Sequence, residues 1–115
     1  KWIIEAAALT DNQIIEITIL IQAEITANFS DEDCKKVYVK SSTGFYKTVN
    51  GKPNGATFEN MKLIAQNARP LKIKAAGGVR DLETALKMVA LGVDRIGTSS
   101  SKAICTNQSS EYTGY

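Results

Sequence analysis

Two kinds of apolar run alternate along this chain, and that alternation restricts the fold more than any other feature. WIIEAA (2–7), VYVKSS (37–42), PLKIKAA (70–76) and VDRIGTSS (93–100) are short and hold β-branched residues, so they read as strands, the first a buried one and the last with its following loop. Longer stretches with helical spacing lie between them. TDNQIIEITILIQAEITA (10–27) places Ile14, Ile17, Leu20, Ile21 and Ile25 at helical intervals, with Thr10 or Asp11 as cap. TFENMKLIAQNA (57–68) offers Thr57 as N-cap, and DLETALKMVALG (81–92) runs from an Asp81 cap to Gly92 at the C′ position. NFSDEDCKK (28–36) reads as a polar connection, GFYKTVNGKPNGA (44–56) as a loop, and GGVR as a tight turn. The tail from Ser101 has room for one short helix before its polar end. The predicted order is β-α-β-α-β-α-β. Strands alternating with helices form right-handed βαβ units around a parallel sheet. The fold class is α/β, either a small open sheet or part of a (βα)8 barrel.

What fills that frame is limited by composition. With 115 residues the chain suits one modest domain over 1–115, and 43% hydrophobic with 23% charged residues is ordinary for a globular protein. A net charge of +2 is too small to point to nucleic acid or to an acidic membrane surface. The longest apolar stretch is broken by Glu16, Thr18, Gln22 and Glu24, so no membrane span is expected. No signal peptide is visible, although the chain begins at Lys1, which leaves a removed leader open. The absence of histidine excludes Ser-His-Asp and Cys-His nucleophiles and the usual zinc sites. Cys34 and Cys105 lack C-x-x-C spacing and read as free thiols of a reducing compartment, which makes the cytoplasm the expected location.

Two lysines stand out within this frame. Side chains alternate faces along a strand. Val37 and Val39 therefore share one face, and Tyr38 and Lys40 the other; Leu71 and Ile73 share one face, and Lys72 and Lys74 the other. In a barrel the apolar set meets the helices and the lysine set points inward; in a half-barrel that inward face, with Tyr38 and the paired lysines, is expected to be open to water. Lys40 and Lys74 also end their strands, which is where barrel enzymes place their chemistry. Two ammonium groups held close are costly, but the gain is definite. A second positive charge and desolvation favour a neutral amine, and a neutral amine can attack a carbonyl to form a Schiff base. The plainer reading is that both are surface lysines at strand ends. The turns shift the balance. AAGGVR and IGTSS follow adjacent strands, and glycines there let backbone N–H groups approach a phosphate.

The stretches WIIEAAALTDNQII, YVKSSTGF, NGATFENMKLI, KIKAAGGVR and DRIGTSS occur in the order found in deoxyribose-phosphate aldolases, and the chain resembles that family over nearly its whole length. The resemblance implies a (βα)8 TIM barrel of which this chain covers about four βα units, the second half. It implies a class I aldolase that reversibly cleaves 2-deoxy-D-ribose 5-phosphate to acetaldehyde and D-glyceraldehyde 3-phosphate. Lys40 matches the Schiff-base lysine, Lys74 the second lysine that lowers its pKa, and Thr43 a substrate-contacting threonine. Gly77, Gly78, Gly97, Ser99 and Ser100 match the phosphate-binding turns. No metal or organic cofactor is implied. The implied partners are a small phosphorylated sugar and a missing first half-barrel or a second copy, in a homo-oligomer, with no nucleic acid and no membrane. The family's catalytic aspartate belongs to an earlier strand and has no match here. Ser41 stands where a threonine is expected, and residues 28–36 and YKTVNGKPN lengthen two connections. The alternatives are an inactive half-barrel fragment or another phosphate-binding barrel enzyme.

Overall fold

Side-chain caps set where each long helix begins. In the computed structural model, which describes residues 1–108, Thr10 and Gln13 cap each other reciprocally and start α1 (Asp11–Asn28). Thr57 and Asn60 do the same for α3 (Phe58–Ala68). The Asp81 carboxylate accepts from the Thr84 amide at 2.7 Å and starts α4 (Leu82–Ala90). A last short helix, α5, covers Ser101–Thr106. The segment 28–36 is not a plain connection. It holds a single helical turn, α2 (Asp31–Cys34), because Ser30 caps it and three acidic residues occupy its first turn, where the helix dipole favours them.

The strands β1 (Trp2–Ile3), β2 (Tyr38–Lys40), β3 (Lys72–Ala76) and β4 (Arg95–Gly97) form one parallel sheet in chain order. This is the expected half-barrel arrangement. One face carries Val39, Leu71, Ile73 and Ala75, all fully buried against the helices. α1 and α3 pack together on that face and bury Ile14, Ile21, Ile25, Met61 and Ile64, while α4 adds Ala85 and Met88. Thr18 is buried among them because its hydroxyl donates to the Ile14 carbonyl at 2.7 Å, which satisfies it inside the helix.

Three expectations need correction. WIIEAA is not a buried strand of its full length. Pairing stops at Ile3, Glu5 turns left-handed with φ 51°, and Ala6–Ala8 form a 3-10 turn. Trp2 and Ile3 are about half exposed, since among the described residues β1 has a neighbour on one side only. Leu20 shares the helical spacing of the core residues yet is 54% exposed; with Trp2, Ile3, Leu9 and Ile17 it lines an apolar groove of about 520 Å³ beside β1. Tyr38, expected to be open to water in a half-barrel, is buried. The Arg95 guanidinium lies 4.6 Å and the Lys72 ammonium 5.7 Å from its ring centre, and the two cover it. Cys34 and Cys105 are free thiols, buried and exposed respectively. No described helix is long and apolar enough to cross a membrane.

Candidate active site

The carboxyl ends of the strands gather the chain's chemistry. Lys40 and Lys74 are register partners on β2 and β3, so their Cα atoms sit side by side across the ladder. Both are half-buried, and both belong to the face turned away from the helices. Arg95 is the register partner of Lys74 on its other side. The Lys74 pKa is lowered, first by burial and then by the charges of Lys40, Lys1 and Arg95.

Glu5 also stands at this end, and the sequence reading passed over it. The chain leaves β1 but keeps contact with the strand beside it, since the Ile4 and Ala6 amides donate to the carbonyls of Lys40 and Ser41 at 3.0 and 2.8 Å. That carries Glu5 onto the loop after Lys40. Its carboxylate accepts the Ser42 and Thr43 hydroxyls, each at 2.7 Å, and the Thr43 amide at 3.2 and 3.3 Å. Burial alone would raise its pKa. The hydrogen bonds from Thr43 and Ser42, with a smaller contribution from the Lys40 ammonium, outweigh burial and hold it below the ordinary carboxylate range. A signal was available. Glu5 is the one charged residue inside the apolar WIIEAA run and, like the lysines, it lies at a strand's carboxyl end.

The loops lock onto one another. The Ser41 hydroxyl, fully buried, donates to the Ala76 carbonyl at 3.1 Å and accepts from the Ala76 amide at 3.0 Å, which ties the segment after Lys40 to the end of β3. Gly77 and Gly78 both take φ of 82°, open to glycine but strained for other residues, and so turn the chain sharply from β3 toward α4. Gly97 pairs with Ala76. The Thr98 hydroxyl donates to the Val79 carbonyl at 2.6 Å and accepts from the Ser100 amide at 2.9 Å. The two glycine-rich turns are thereby joined. Lys40, Lys74, Thr43, the Gly77–Gly78 turn and the 97–100 segment thus all lie at one end of the sheet. Among the described residues no group of three or more His, Cys, Asp or Glu side chains is placed to hold a metal ion.

No family model matches the chain. The deoxyribose-phosphate aldolase of Dictyoglomus turgidum is 43% identical over 90% of this chain and 41% of its own length. That of Streptococcus agalactiae serotype Ia is 38% identical over 96% of this chain and 43% of its own. Among solved structures, QR15, an aldolase, superposes with a TM-score of 0.63 at 36% identity, over 91% of this chain and 41% of that one. This chain therefore spans about two fifths of the length of these relatives.

Proposed function

Because the chain belongs to the deoxyribose-phosphate aldolase family over the part of those proteins that it spans, we propose that it supplies the second half of a class I aldolase barrel. The reaction is the reversible cleavage of 2-deoxy-D-ribose 5-phosphate to acetaldehyde and D-glyceraldehyde 3-phosphate, in cytoplasmic deoxyribonucleotide catabolism. The observation that carries this reading is the pairing of Lys40 with Lys74 across the ladder. The Lys40 amine adds to the substrate carbonyl, and water leaves to give a protonated imine. The imine draws in the electron pair of the bond between the α and β carbons. That bond breaks as the β-hydroxyl gives up its proton, and D-glyceraldehyde 3-phosphate departs; the enamine left on Lys40 takes up a proton at its terminal carbon, and water hydrolyses the resulting imine to release acetaldehyde and the free Lys40 amine. The imine is its own electron sink, so this reading needs no metal or organic cofactor. Lys74, with its lowered pKa, relays protons beside it. Thr43 contacts the substrate, and backbone N–H groups around Gly77, Gly78, Gly97, Ser99 and Ser100 hold the phosphate. Incubating the complete protein with acetaldehyde and borohydride is expected to leave a two-carbon adduct on Lys40. An adduct elsewhere, or undiminished labelling of Lys40→Ala, would remove Lys40 from the mechanism.

The first half of the barrel, or a second copy of this chain, is the proposed partner. Among the described residues β1 and β4 each have a neighbour on one side only, and unpaired parallel edges recruit further strands. The half-exposed Trp2 and Ile3 and the groove beside them give such strands an apolar seat. The 115-residue piece by itself is expected to be inactive and associated. Size-exclusion chromatography with light scattering, run beside an aldolase assay, checks this. A folded monomer of 12.5 kDa with full turnover would refute it.

A further inference from the structure

A hydroxyl carries one proton, and an ionised carboxylate can only accept. Those two facts settle the polarity of the loop after Lys40. The Ser42 proton goes to Glu5 Oε1 and the Thr43 proton to Glu5 Oε2. At 2.7 Å each is a short, charge-assisted bond of the strong kind. Ser42 is fully buried and its oxygen also accepts from the Gly44 amide at 2.8 Å, so it is occupied by the protein. Thr43 differs. It is only half-buried, and its oxygen accepts from the Phe45 amide at 3.2 Å, which leaves a further lone pair and no proton to offer. Glu5 itself is held with φ 51°, an uncommon conformation for a residue with a side chain, and the surrounding hydrogen bonds maintain it.

We infer that Glu5 is a positioning residue that commits the Thr43 proton, so that Thr43 meets the substrate only as a hydrogen-bond acceptor and selects a substrate that presents a hydroxyl there. The inference rests on the aldolase reading above and adds to it. Thr43 then favours a hydroxylated phospho-aldehyde over an analogue lacking that hydroxyl. A merely structural tether would hold the loop without any such preference.

The test uses the complete protein, acetaldehyde and two acceptors: D-glyceraldehyde 3-phosphate and its analogue without the 2-hydroxyl. Unmodified protein is expected to prefer the hydroxylated acceptor by about tenfold or more in kcat/KM, since losing a partner for a built polar site is costly. Thr43→Val abolishes most of that preference and Thr43→Ser retains it. Glu5→Ala, which leaves no oxygen to take the Thr43 proton, reduces the preference as Thr43→Val does, while borohydride still traps acetaldehyde on Lys40; Glu5→Gln, whose amide oxygen still accepts from Thr43 with its NH2 turned to Ser42, retains it. An unchanged preference in Thr43→Val or Glu5→Ala would overturn the inference, as would an equal loss on both acceptors. Absence of any trapping in the unmodified protein would instead overturn the aldolase reading, and this inference with it.

Discussion

On the proposed aldolase reading, replacing Lys74 with leucine in the complete protein is expected to lower turnover by about two to four orders of magnitude near neutral pH, the usual contribution of a positioned acid–base group, without weakening the fold. The two halves of that result come from one cause. Lys74 is half-buried between Lys40 and Arg95 on the ladder, and burial followed by the charges of Lys40, Lys1 and Arg95 lowers its pKa from 10.5. A lowered lysine pKa means that the folded chain holds the ammonium less well than the unfolded chain does. Between the folded pKa and 10.5 the unfolded chain therefore binds more protons, and this group makes stability rise with pH across that window. Below the window its penalty is fully present. Leucine removes the penalty, so urea midpoints should favour Lys74→Leu, or leave it equal, at pH 7. The difference should shrink as pH approaches 10.5. Acetaldehyde trapping on Lys40 in the same variant separates imine formation from later proton transfer. Turnover of Lys74→Leu within about threefold of the unmodified protein would end the case for a role of Lys74 in the chemistry.

The second large effect is structural. Gly55→Ala is expected to destabilise the assembled protein by about 2–6 kcal/mol, combining roughly 1–3 for left-handed strain with roughly 1–3 for overpacking. Gly55 has φ of 85°, and a Cβ built on it falls 2.5 Å from the Gly77 carbonyl carbon and oxygen and 2.7 Å from its Cα. Backbone atoms cannot rotate aside as a side chain can. The Ala56 amide donates to that same Gly77 carbonyl at 2.8 Å, so the loop and the turn would have to separate together. Gly51→Ala is the control. Its φ is 67°, but a Cβ there meets nothing within 4 Å, so only the left-handed cost of about 1–3 kcal/mol applies. Urea unfolding of both variants decides it. Equal losses would show that close approach of the two backbones contributes nothing. Because Gly77 precedes Gly78 in the proposed phosphate turn, Gly55→Ala is also expected to raise KM for the phosphorylated substrate.

The order of strands and helices, the α/β class and the two faces of β2 and β3 follow from periodicity that the sequence carries locally. Val39 and Ile73 are buried and Lys40 and Lys74 turn away because strand parity is a property of the backbone, independent of what surrounds it. Caps at Thr10, Thr57 and Asp81 were equally legible, since each bonds to an amide three residues ahead. Contacts between segments distant along the chain were not legible. Leu20 obeys the helical spacing but faces the groove beside β1, because burial depends on which neighbour covers a stripe. Tyr38 is shielded by Lys72 and Arg95 of two other strands. Glu5 reaches Ser42 and Thr43 only because the parallel pairing of β1 with β2 carries the chain past Lys40. Gly55 against Gly77 arises the same way, from a loop folding back on a turn. The sequence by itself determined the repeating βα units and the identity of the lysine pair. Tertiary structure alone decided where Glu5 lies, which hydroxyl protons it takes and which glycines must stay glycine, because hydrogen bonds and steric contact depend on distance in space.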